Sequence, residues 1–385
     1  MKTGMRNEMK KRRARASIIS ILSIILLSLI ANPSQASEST GSGYPMTFID
    51  SENRPVVIQA PVQRIVVLNE NAAEAVVILG SGDKIVGAVD QVLGKGGYYP
   101  SIKDAVGVGS RTEVDYEKIV KVAEQGDKIT PDIIVLCYTA PDRAYGMGAD
   151  TVSMKLSAFK NITVIGLNFY EPEKIKEEMT KLGEILGKES EAKEYLQWYD
   201  GEVEKAEKAV QGLAPTTVFF ESMGSSGALS DLSTYGGHSA MSLMVNEAGG
   251  VCIFQEGTES AKVAWEWVAA QSPDVIIKHQ PLTSKDGMPG WSMEDSVSAT
   301  KLKEIRNNIL SRPGGTKIPA ISNDRVYVLS VDATVGPDLP VGIASLAKIL
   351  HPKIDIDPAQ VYREYLAFLG VSWQEGRSFV YPEVG

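Results

Sequence analysis

A short module occurs twice in this 385-residue chain, and it limits the possible folds more than any other feature. In each copy an aromatic residue and a glutamate come first, and a Pro-Asp pair then leads into an apolar run. The first copy reads Tyr116-Glu117, Pro131-Asp132 and 133–136, and the second reads Trp265-Glu266, Pro273-Asp274 and 275–277. Because proline ends a helix and fixes the turn that follows, each copy predicts a short helix that feeds a buried parallel strand.

The two Pro-Asp pairs lie 142 residues apart, and the chain is long enough for two domains. A duplicated α/β half therefore predicts two lobes with something held between them.

The rest of the sequence alternates between apolar runs and amphipathic stretches. Residues 46–58 predict a β-hairpin. Further strands are predicted at 64–68, 85–89, 162–167, 216–220 and 325–329, and helices at 72–79, 239–248, 339–350 and 358–368. Strands that alternate with helices predict parallel sheets with crossover connections.

The middle of the chain predicts two consecutive helices. Pro172 fits the first turn of one helix, Gly187 interrupts the pattern, and residues 190–212 form the second. About 22 helical residues span about 33 Å, which is enough to join two lobes as a stiff strut. The same periodicity fits an ordinary surface crossover helix equally well.

The N-terminus has the pattern of an export signal. Residues 10–15 are almost all basic, 18–30 are apolar, and Ser34-Gln35-Ala36 fits a cleavage site. The apolar stretch is short for a membrane span, although an uncleaved anchor is the alternative. No cysteine follows it directly, so no lipid anchor is expected there. The predicted organisation is a signal peptide at 1–36, a linker at 37–45, lobes at 46–188 and 213–385, and a connecting helix at 189–212.

The net charge limits the kinds of molecule that this protein can bind, and the cysteine content bears on its disulfides. The formal net charge is −9, and removal of a signal peptide that carries +6 leaves about −15. This argues against nucleic acid or an anionic membrane as the main partner. The cysteines, Cys137 and Cys252, fall one in each half and are interpreted as two buried free thiols.

Motifs for catalysis are missing from the sequence. There is no phosphate-binding P-loop and no G-x-S-x-G, and Gly80-Ser81-Gly82 follows a helix rather than a strand, so it is a helix end and not a dinucleotide site. All three histidines lie in the second half, which argues against a metal shared between the lobes. We predict no enzyme activity, no cofactor and no metal site.

Four loops that follow predicted strands are rich in aromatic residues, glycine and methionine. Rigid aromatic faces with a few cationic donors suit a bulky, flat or anionic small ligand. For each residue alone, loop packing is the better explanation, and only the coincidence of four such loops favours binding. The predicted contacts are Tyr98, Tyr138, Arg143, Tyr145, Tyr235, His238 and Trp291.

Glu117 and Glu266 occupy the same place in the two modules. A single glutamate there would be a solvated carboxylate favoured by the helix dipole. A matched pair, one in each lobe, could dock a two-fold symmetric partner.

With these motifs in order, the chain resembles the periplasmic binding proteins of ABC importers for iron–siderophores, haem and cobalamin. The matching segments are 61–68, 73–74, 79–87, 108–110, both modules, 246–250 and 323–327. The resemblance covers nearly all of residues 46–370. It implies an α/β fold of two Rossmann-like lobes with parallel sheets, joined by a single long helix, with the ligand between the lobes. It also implies that Glu117 and Glu266 meet arginines of a dimeric permease.

The chain departs from the corrinoid-binding pattern at two positions. Where aromatic residues six before each docking glutamate would sandwich a corrin, this chain has Arg111 and Ser260. Arg111 is therefore a predicted contact for an anionic chelate, and Asp332 matches an aspartate of the family's last loop. The hairpin at 46–58 is more similar to the iron–siderophore branch, and an insertion at 124–128 lengthens the first module.

Together these features predict an exported, periplasmic or extracytoplasmic monomer that delivers a ferric siderophore, haem or similar metal chelate to an ABC permease dimer with its ATPase subunits. A cobalamin carrier is the alternative. A two-lobed enzyme, or a binder of an oxyanion or free metal on the same fold, is less well supported by the motifs.

Overall fold

A computed structural model of the protein describes residues 43–95, 97–110, 112–139, 147–223, 225, 228–257, 260–280, 298–330, 334–372 and 380–384. The predicted signal peptide lies outside these residues. Within the described ranges, no helix combines the length and the apolar character that a membrane crossing requires.

The first half of the described chain begins with a hairpin and continues as an α/β succession. In chain order the elements are β1 (Met46–Ile49), β2 (Pro55–Ile58), β3 (Arg64–Val67), α1 (Glu70–Ile78), β4 (Ile85–Ala88), α2 (Asp90–Leu93), β5 (Val106–Gly107), α3 (Tyr116–Ala123), β6 (Glu124–Gln125), β7 (Lys128–Ile129), β8 (Ile133–Cys137), α4 (Ala149–Lys155), β9 (Ile162–Gly166) and α5 (Ile175–Leu186). Short 3-10 turns occur at Gly82–Lys84, Pro100–Ile102 and Pro172–Lys174.

Five of these strands form one parallel sheet in the order β5-β4-β3-β8-β9. Its central strands, β3 and β8, are buried at every position, as expected for strands covered on both faces. The strands predicted at 64–68, 85–89, 133–136 and 162–167 are confirmed. The insertion at 124–128 forms the exposed antiparallel hairpin of β6 and β7.

The hairpin of β1 and β2 is fastened to the edge of this sheet through one carboxylate. The backbone N–H of Gly166, at the end of β9, donates to Oδ2 of Asp50 at 3.0 Å. The guanidinium of Arg54 binds the same oxygen at 2.6 Å and holds the turn between the two strands. The predicted hairpin is therefore confirmed, and Asp50 attaches it to the sheet.

A single helix joins the two halves of the chain. Gly187 adopts a left-handed conformation, with φ of 65°, and ends α5, so α6 (Glu189–Val210, 22 residues) leaves in a new direction. Its buried positions repeat every three or four residues and form one stripe: Ala192, Tyr195, Tyr199, Glu202 and Ala206. Because α6 lies between the last strand of one sheet and the first strand of the next, it is the connecting strut and not a crossover within one sheet.

The second half repeats the α/β succession. Its elements are β10 (Thr216–Glu221), β11 (Leu232–Thr234), α7 (Ala240–Glu247), β12 (Gly250–Cys252), β13 (Ala261–Val263), α8 (Trp265–Gln271), β14 (Val275–Gln280), α9 (Ser298–Leu310), α10 (Pro319–Ser322), β15 (Val326–Ser330), α11 (Leu339–Leu350), α12 (Pro358–Phe368) and β16 (Val380–Tyr381). A 3-10 turn lies at Gly315–Lys317.

The second sheet has a parallel centre and antiparallel edges. Strands β10, β14 and β15 are parallel, and β12 pairs parallel with the start of β10. Strands β11, β13 and β16 add antiparallel pairs at the edges. The predicted fold class is confirmed, but the sequence did not predict the antiparallel strands, because two or three residues are too few to show a two-residue repeat.

The two Pro-Asp turns have the same structural task in both halves. Asp132 binds the guanidinium of Arg64, the first residue of β3, at 2.8 Å. Asp274 accepts hydrogen bonds from the backbone N–H and the hydroxyl of Thr217, in β10, at 3.1 and 2.7 Å. Each aspartate thus ties the start of its own strand to the neighbouring parallel strand, which explains why the pair recurs.

Both cysteines are buried and free, as predicted. Cys137 ends β8 and Cys252 ends β12, in different sheets. Burial raises the pKa of both thiols, to about 11 for Cys252. Neither thiol is activated toward nucleophilic chemistry.

Helix α12 belongs to the second half in sequence but packs against the first. The hydroxyl of Tyr365 donates to Oε1 of Glu74, in α1, at 2.6 Å, and both side chains are buried. The hydroxyls of Tyr98 and Tyr362 form a second buried hydrogen bond across the same boundary. Buried residues of both halves belong to one continuous core, so the lobes are held together by packing as well as by α6.

We expect Tyr365→Phe to lower the free energy of unfolding by about 1.5–3 kcal/mol, because it removes a buried hydrogen bond to a carboxyl group. Chemical denaturation measures the change. Tyr327→Phe is the matched control, since Tyr327 is half-buried and its hydroxyl makes no hydrogen bond within the described residues. Equal stability of the two variants would contradict the importance of this contact.

Candidate functional site

The loops that follow the parallel strands of the two sheets meet each other. Asn71, just after β3, donates from Nδ2 to the carbonyl of Phe169 at 3.5 Å. Across from it lies Gly336, after β15, where an added Cβ would come within 3.1 Å of Oδ1 of Asn71. Gly336 also has φ of 105°, a conformation that favours glycine. This close contact marks where the two lobes meet, at the strand ends where α/β proteins bind ligands, and the surface around it is the candidate cleft.

A tyrosine, a histidine and a threonine form a hydrogen-bonded chain at the end of the second sheet. The hydroxyl of Tyr235 lies 2.5 Å from Nδ1 of His279, and Nε2 of His279 lies 3.0 Å from the hydroxyl of Thr334. His279 is only 2% exposed, and Phe220 packs on its ring at 5.4 Å between centroids. Since both ring nitrogens have hydroxyl partners, the imidazole fixes the position of the Tyr235 phenol.

Burial determines the protonation of this chain. It lowers the pKa of His279 to about 3, with a smaller contribution from the charge of Lys278. Burial also raises the pKa of Tyr235, to which nearby Tyr170 contributes further. At neutral pH the chain is therefore uncharged, and a neutral imidazole can donate to one hydroxyl and accept from the other.

Two residues with exposed side chains interact with the Tyr235 phenol. Tyr170 follows β9 in the first half and is 54% exposed, and Met223 follows β10 and is 46% exposed. The backbone N–H of Met223 also contacts the phenol oxygen of Tyr235. An aromatic ring from each half thus lies at one end of the cleft, and the adjoining segment carries an exposed methionine, a combination suited to a large apolar or flat ligand.

A buried charged cluster lies beside this site, on the opposite face of the second sheet. Glu221, the last residue of β10, binds Arg312 at 2.7 Å and Lys278 at 3.1 Å. Burial alone would raise the pKa of Glu221, but the hydrogen bond and charge of Arg312, together with Lys278, outweigh it and lower the pKa. Glu221 is therefore an ionised carboxylate that binds both basic side chains.

The structure places the predicted contact residues in different surroundings. Tyr235 lies at the cleft. Tyr98 is fully buried, and in this conformation its hydroxyl serves the contact between the lobes. Tyr138 is half-buried after β8, and His238 is exposed before α7, with its backbone N–H bound to the carbonyl of Gly257. The remaining predicted contacts lie outside the described residues: Arg111, Arg143, Tyr145, Trp291 and Asp332.

Sequence reasoning missed several residues of the site. Tyr170 stood outside the four aromatic loops, and Lys278 and Arg312 were not considered as a pair. The polar triplet Lys278-His279-Gln280 directly after the apolar run 275–277 was the available signal, because the carboxyl end of such a strand reaches the ligand edge of a parallel sheet. Within the described ranges, no three His, Cys, Asp or Glu side chains converge as metal ligands would.

Glu117 and Glu266 are both exposed in the first turn of their helices, α3 and α8. Neither forms an ion pair within the described part of the chain. Their placement is compatible with the predicted docking role, which stays a prediction.

A family model described as "Periplasmic binding protein" matches residues 65–333, which is more than half of the chain. The chain belongs to this family. Periplasmic binding proteins of this type are substrate-binding transport proteins, so membership accounts for two lobes with a cleft at their strand ends.

Individual relatives of this periplasmic binding protein are distant in sequence but similar over most of their length. An uncharacterized ABC transporter substrate-binding lipoprotein, YvrC of Bacillus subtilis, is 23% identical, with 89% of this chain and 98% of that protein aligned. The TroA-like periplasmic binding protein FepB of Veillonella parvula is 19% identical with a TM-score of 0.67, over 86% of this chain and 98% of the other. MolA of Haemophilus influenzae, solved with molybdate, is 18% identical with a TM-score of 0.62, over 86% and 99%.

The buried imidazole predicts a pH dependence of stability. Below its ordinary pKa near 6.5, the unfolded chain protonates His279 while the folded protein does not until about pH 3. The contribution of neutral His279 to the free energy of unfolding is therefore complete above pH 6.5. It is lost progressively as the pH falls from 6.5 toward 3, at up to about 1.4 kcal/mol per pH unit.

Denaturation of the wild type and of His279→Gln between pH 4.5 and 7.5 measures this dependence. The slope of the free energy of unfolding against pH should be smaller in the variant, by up to about 1.4 kcal/mol per pH unit, which corresponds to one proton. His238→Gln, at an exposed histidine, is the control and should keep the wild-type slope. Identical slopes in wild type and His279→Gln would refute the assignment.

Proposed function

We propose that this periplasmic binding protein is the exported substrate-binding component of an ABC importer, which captures a ferric siderophore, haem or similar metal chelate. It performs no chemistry and delivers its cargo to a permease dimer with ATPase subunits. The proposal that it acts outside the cytoplasm is supported by the N-terminal pattern and by the lipoprotein relative.

The proposed class of ligand is based on the surface around Tyr235. Tyr170 and Met223 expose about half of their side chains beside a phenol that His279 holds in place. A small oxyanion is bound by converging N–H donors, whereas a chelate needs broad aromatic and apolar faces. The described residues at this end of the cleft favour the second kind of ligand.

Two other cargoes are alternatives that the titration described below also tests. Molybdate is the ligand in the MolA structure, which shares the fold, so an oxyanion is one alternative. Cobalamin is the other, but Ser260, six residues before Glu266, is not aromatic and offers no ring to a corrin.

The test is titration of the purified protein, without residues 1–36, with haemin, a ferric catecholate siderophore, a ferric hydroxamate siderophore, cyanocobalamin and molybdate. We expect saturable changes in visible absorption or tryptophan fluorescence with one of the iron chelates. Saturation only with cyanocobalamin or only with molybdate would establish the corresponding alternative. No saturable signal with any probe would refute the proposal.

Tyr235→Phe should weaken the chelate that binds by about tenfold, since the hydroxyl fixed by His279 is lost at the ligand surface. Tyr327→Phe, at the start of β15 and away from the carboxyl ends of the strands, is the control and should bind like the wild type. Thermal unfolding shows whether both variants remain folded at the assay temperature. Wild-type affinity in folded Tyr235→Phe would exclude its hydroxyl as a contact.

The docking role of the matched glutamates has a separate test. Glu117→Lys combined with Glu266→Lys should abolish cellular uptake of the chelate while leaving its affinity for the purified protein unchanged, because both side chains are exposed and away from the candidate cleft. Glu204→Lys combined with Glu304→Lys, which reverses two exposed charges on other helices, is the control. Uptake that survives the first pair of substitutions would exclude this docking surface.

A further inference from the structure

The two docking helices begin in different ways. In α3 the carboxylate of Asp115 accepts the backbone N–H of Lys118 at 3.0 Å and caps the helix next to Glu117. The equivalent position before α8 is Ala264, which has no side chain that could cap. The start of α8, and with it Glu266, must be fixed by something other than a local cap.

Trp265 supplies the missing anchor. Its side chain is 2% exposed, although the next residue, Glu266, is exposed. The backbone N–H of Trp265 donates to the carbonyl of Leu229 at 2.8 Å, and its indole N–H donates to the carbonyl of Pro313 at 2.8 Å. The guanidinium carbon of Arg312 lies 5.0 Å from the centroid of the indole ring.

Arg312 is itself held in place by residues at the ligand edge of the second sheet. Its Nη1 binds Glu221 at 2.7 Å, and Glu221 also binds Lys278, whose Nζ donates to the carbonyl of Ser222 at 2.9 Å. All three charged side chains are almost completely buried. Glu221 is paired in the sheet with Thr234, the residue before Tyr235.

The contacts therefore form one chain from the cleft to the docking helix. It runs from Glu221 at the strand end, through Arg312 and the indole of Trp265, to the first turn of α8. Arginine suits this place because its planar guanidinium can stack on an indole while it donates to a carboxylate, whereas the ammonium of lysine has no plane to stack.

We infer that Arg312 is a positioning residue for permease docking: it holds Trp265, and through it Glu266, in the orientation that the permease recognises. The inference rests on the proposed docking role of Glu266. Arg312 does not touch the permease or the cargo, and it acts only through the indole. Its partner Glu221 places this anchor at the edge of the cleft.

The test measures association of the purified protein with its permease–ATPase complex in nanodiscs by biolayer interferometry, without any cargo. The variants are Arg312→Lys, the double variant Glu221→Gln with Arg312→Met, Glu266→Lys, and Arg306→Lys as the control. Arg306 lies in α9, close in sequence to Arg312, but binds Asp324 and the carbonyl of Val326 instead. The double variant removes the carboxylate together with its arginine partner, and Lys278 keeps the carbonyl of Ser222 as an acceptor, so this variant tests the inference even if Arg312→Lys fails to fold.

We expect Arg312→Lys and the double variant to weaken association by about tenfold, the effect of losing a stacked cation beside the docking turn. Arg306→Lys should associate like the wild type. In protein labelled with 5-fluorotryptophan, the 19F resonance that disappears in Trp265→Phe should shift in the two Arg312 variants and stay in place in Arg306→Lys. A purely structural role would lower stability and leave association with the permease–ATPase complex at the wild-type level.

The possible failures are distinguishable. If Glu266→Lys associates like the wild type, the proposed docking role is wrong. If Glu266→Lys loses association but the folded Arg312 variants keep wild-type affinity, the positioning role of Arg312 is overturned while the proposed docking stands. Loss of association by Arg306→Lys to the same extent would also overturn it, because the effect would then not be specific to the indole.

Discussion

The buried contact between Tyr365 and Glu74 fixes the relation on which the site depends. A carboxyl group in a core requires hydrogen-bond partners, and here a partner comes from a helix near the other end of the chain. Helix α12 is thereby bound to α1, and buried side chains of both halves merge into one core. Asn71 and Gly336 can approach closely where the two lobes meet because the elements behind them are locked in place. The two sides of the candidate cleft are thus held together by buried contacts.

The repeated module combines two tasks that have different physical origins. Its Pro-Asp half serves folding, because Asp132 and Asp274 tie each strand to the start of its parallel neighbour. Its glutamate half places the exposed side chains of Glu117 and Glu266 on the protein surface. The two copies have diverged in the support for those glutamates. Asp115 caps the first helix locally, whereas the second relies on Trp265 and on Arg312 from a distant loop.

The sequence predicted correctly the features that depend on local interactions, and it missed those that depend on residues far apart in the chain. The buried parallel strands were predictable because a long apolar run bounded by turn residues has few other solutions. The edge strands, such as β11 at Leu232–Thr234, were missed because three residues carry no periodic signal. Tyr235 was predicted as a contact and lies at the cleft, whereas Tyr98 lies in the core. Both are tyrosines in glycine-containing loops, and nothing in their local sequence separates the two outcomes.

By itself, the sequence determined the α/β class, the duplication, the long middle helix and the matched glutamates, since each depends on local propensity or on periodic burial. The tertiary structure decided that this helix connects the two lobes. Only the tertiary structure decided which polar groups meet. His279 is neutral because it is buried between Tyr235 and Thr334, and Glu221 is ionised because Arg312 and Lys278 reach it from other elements. Those partners are far apart in the chain, and the charge state of a buried group is determined by its neighbours in space.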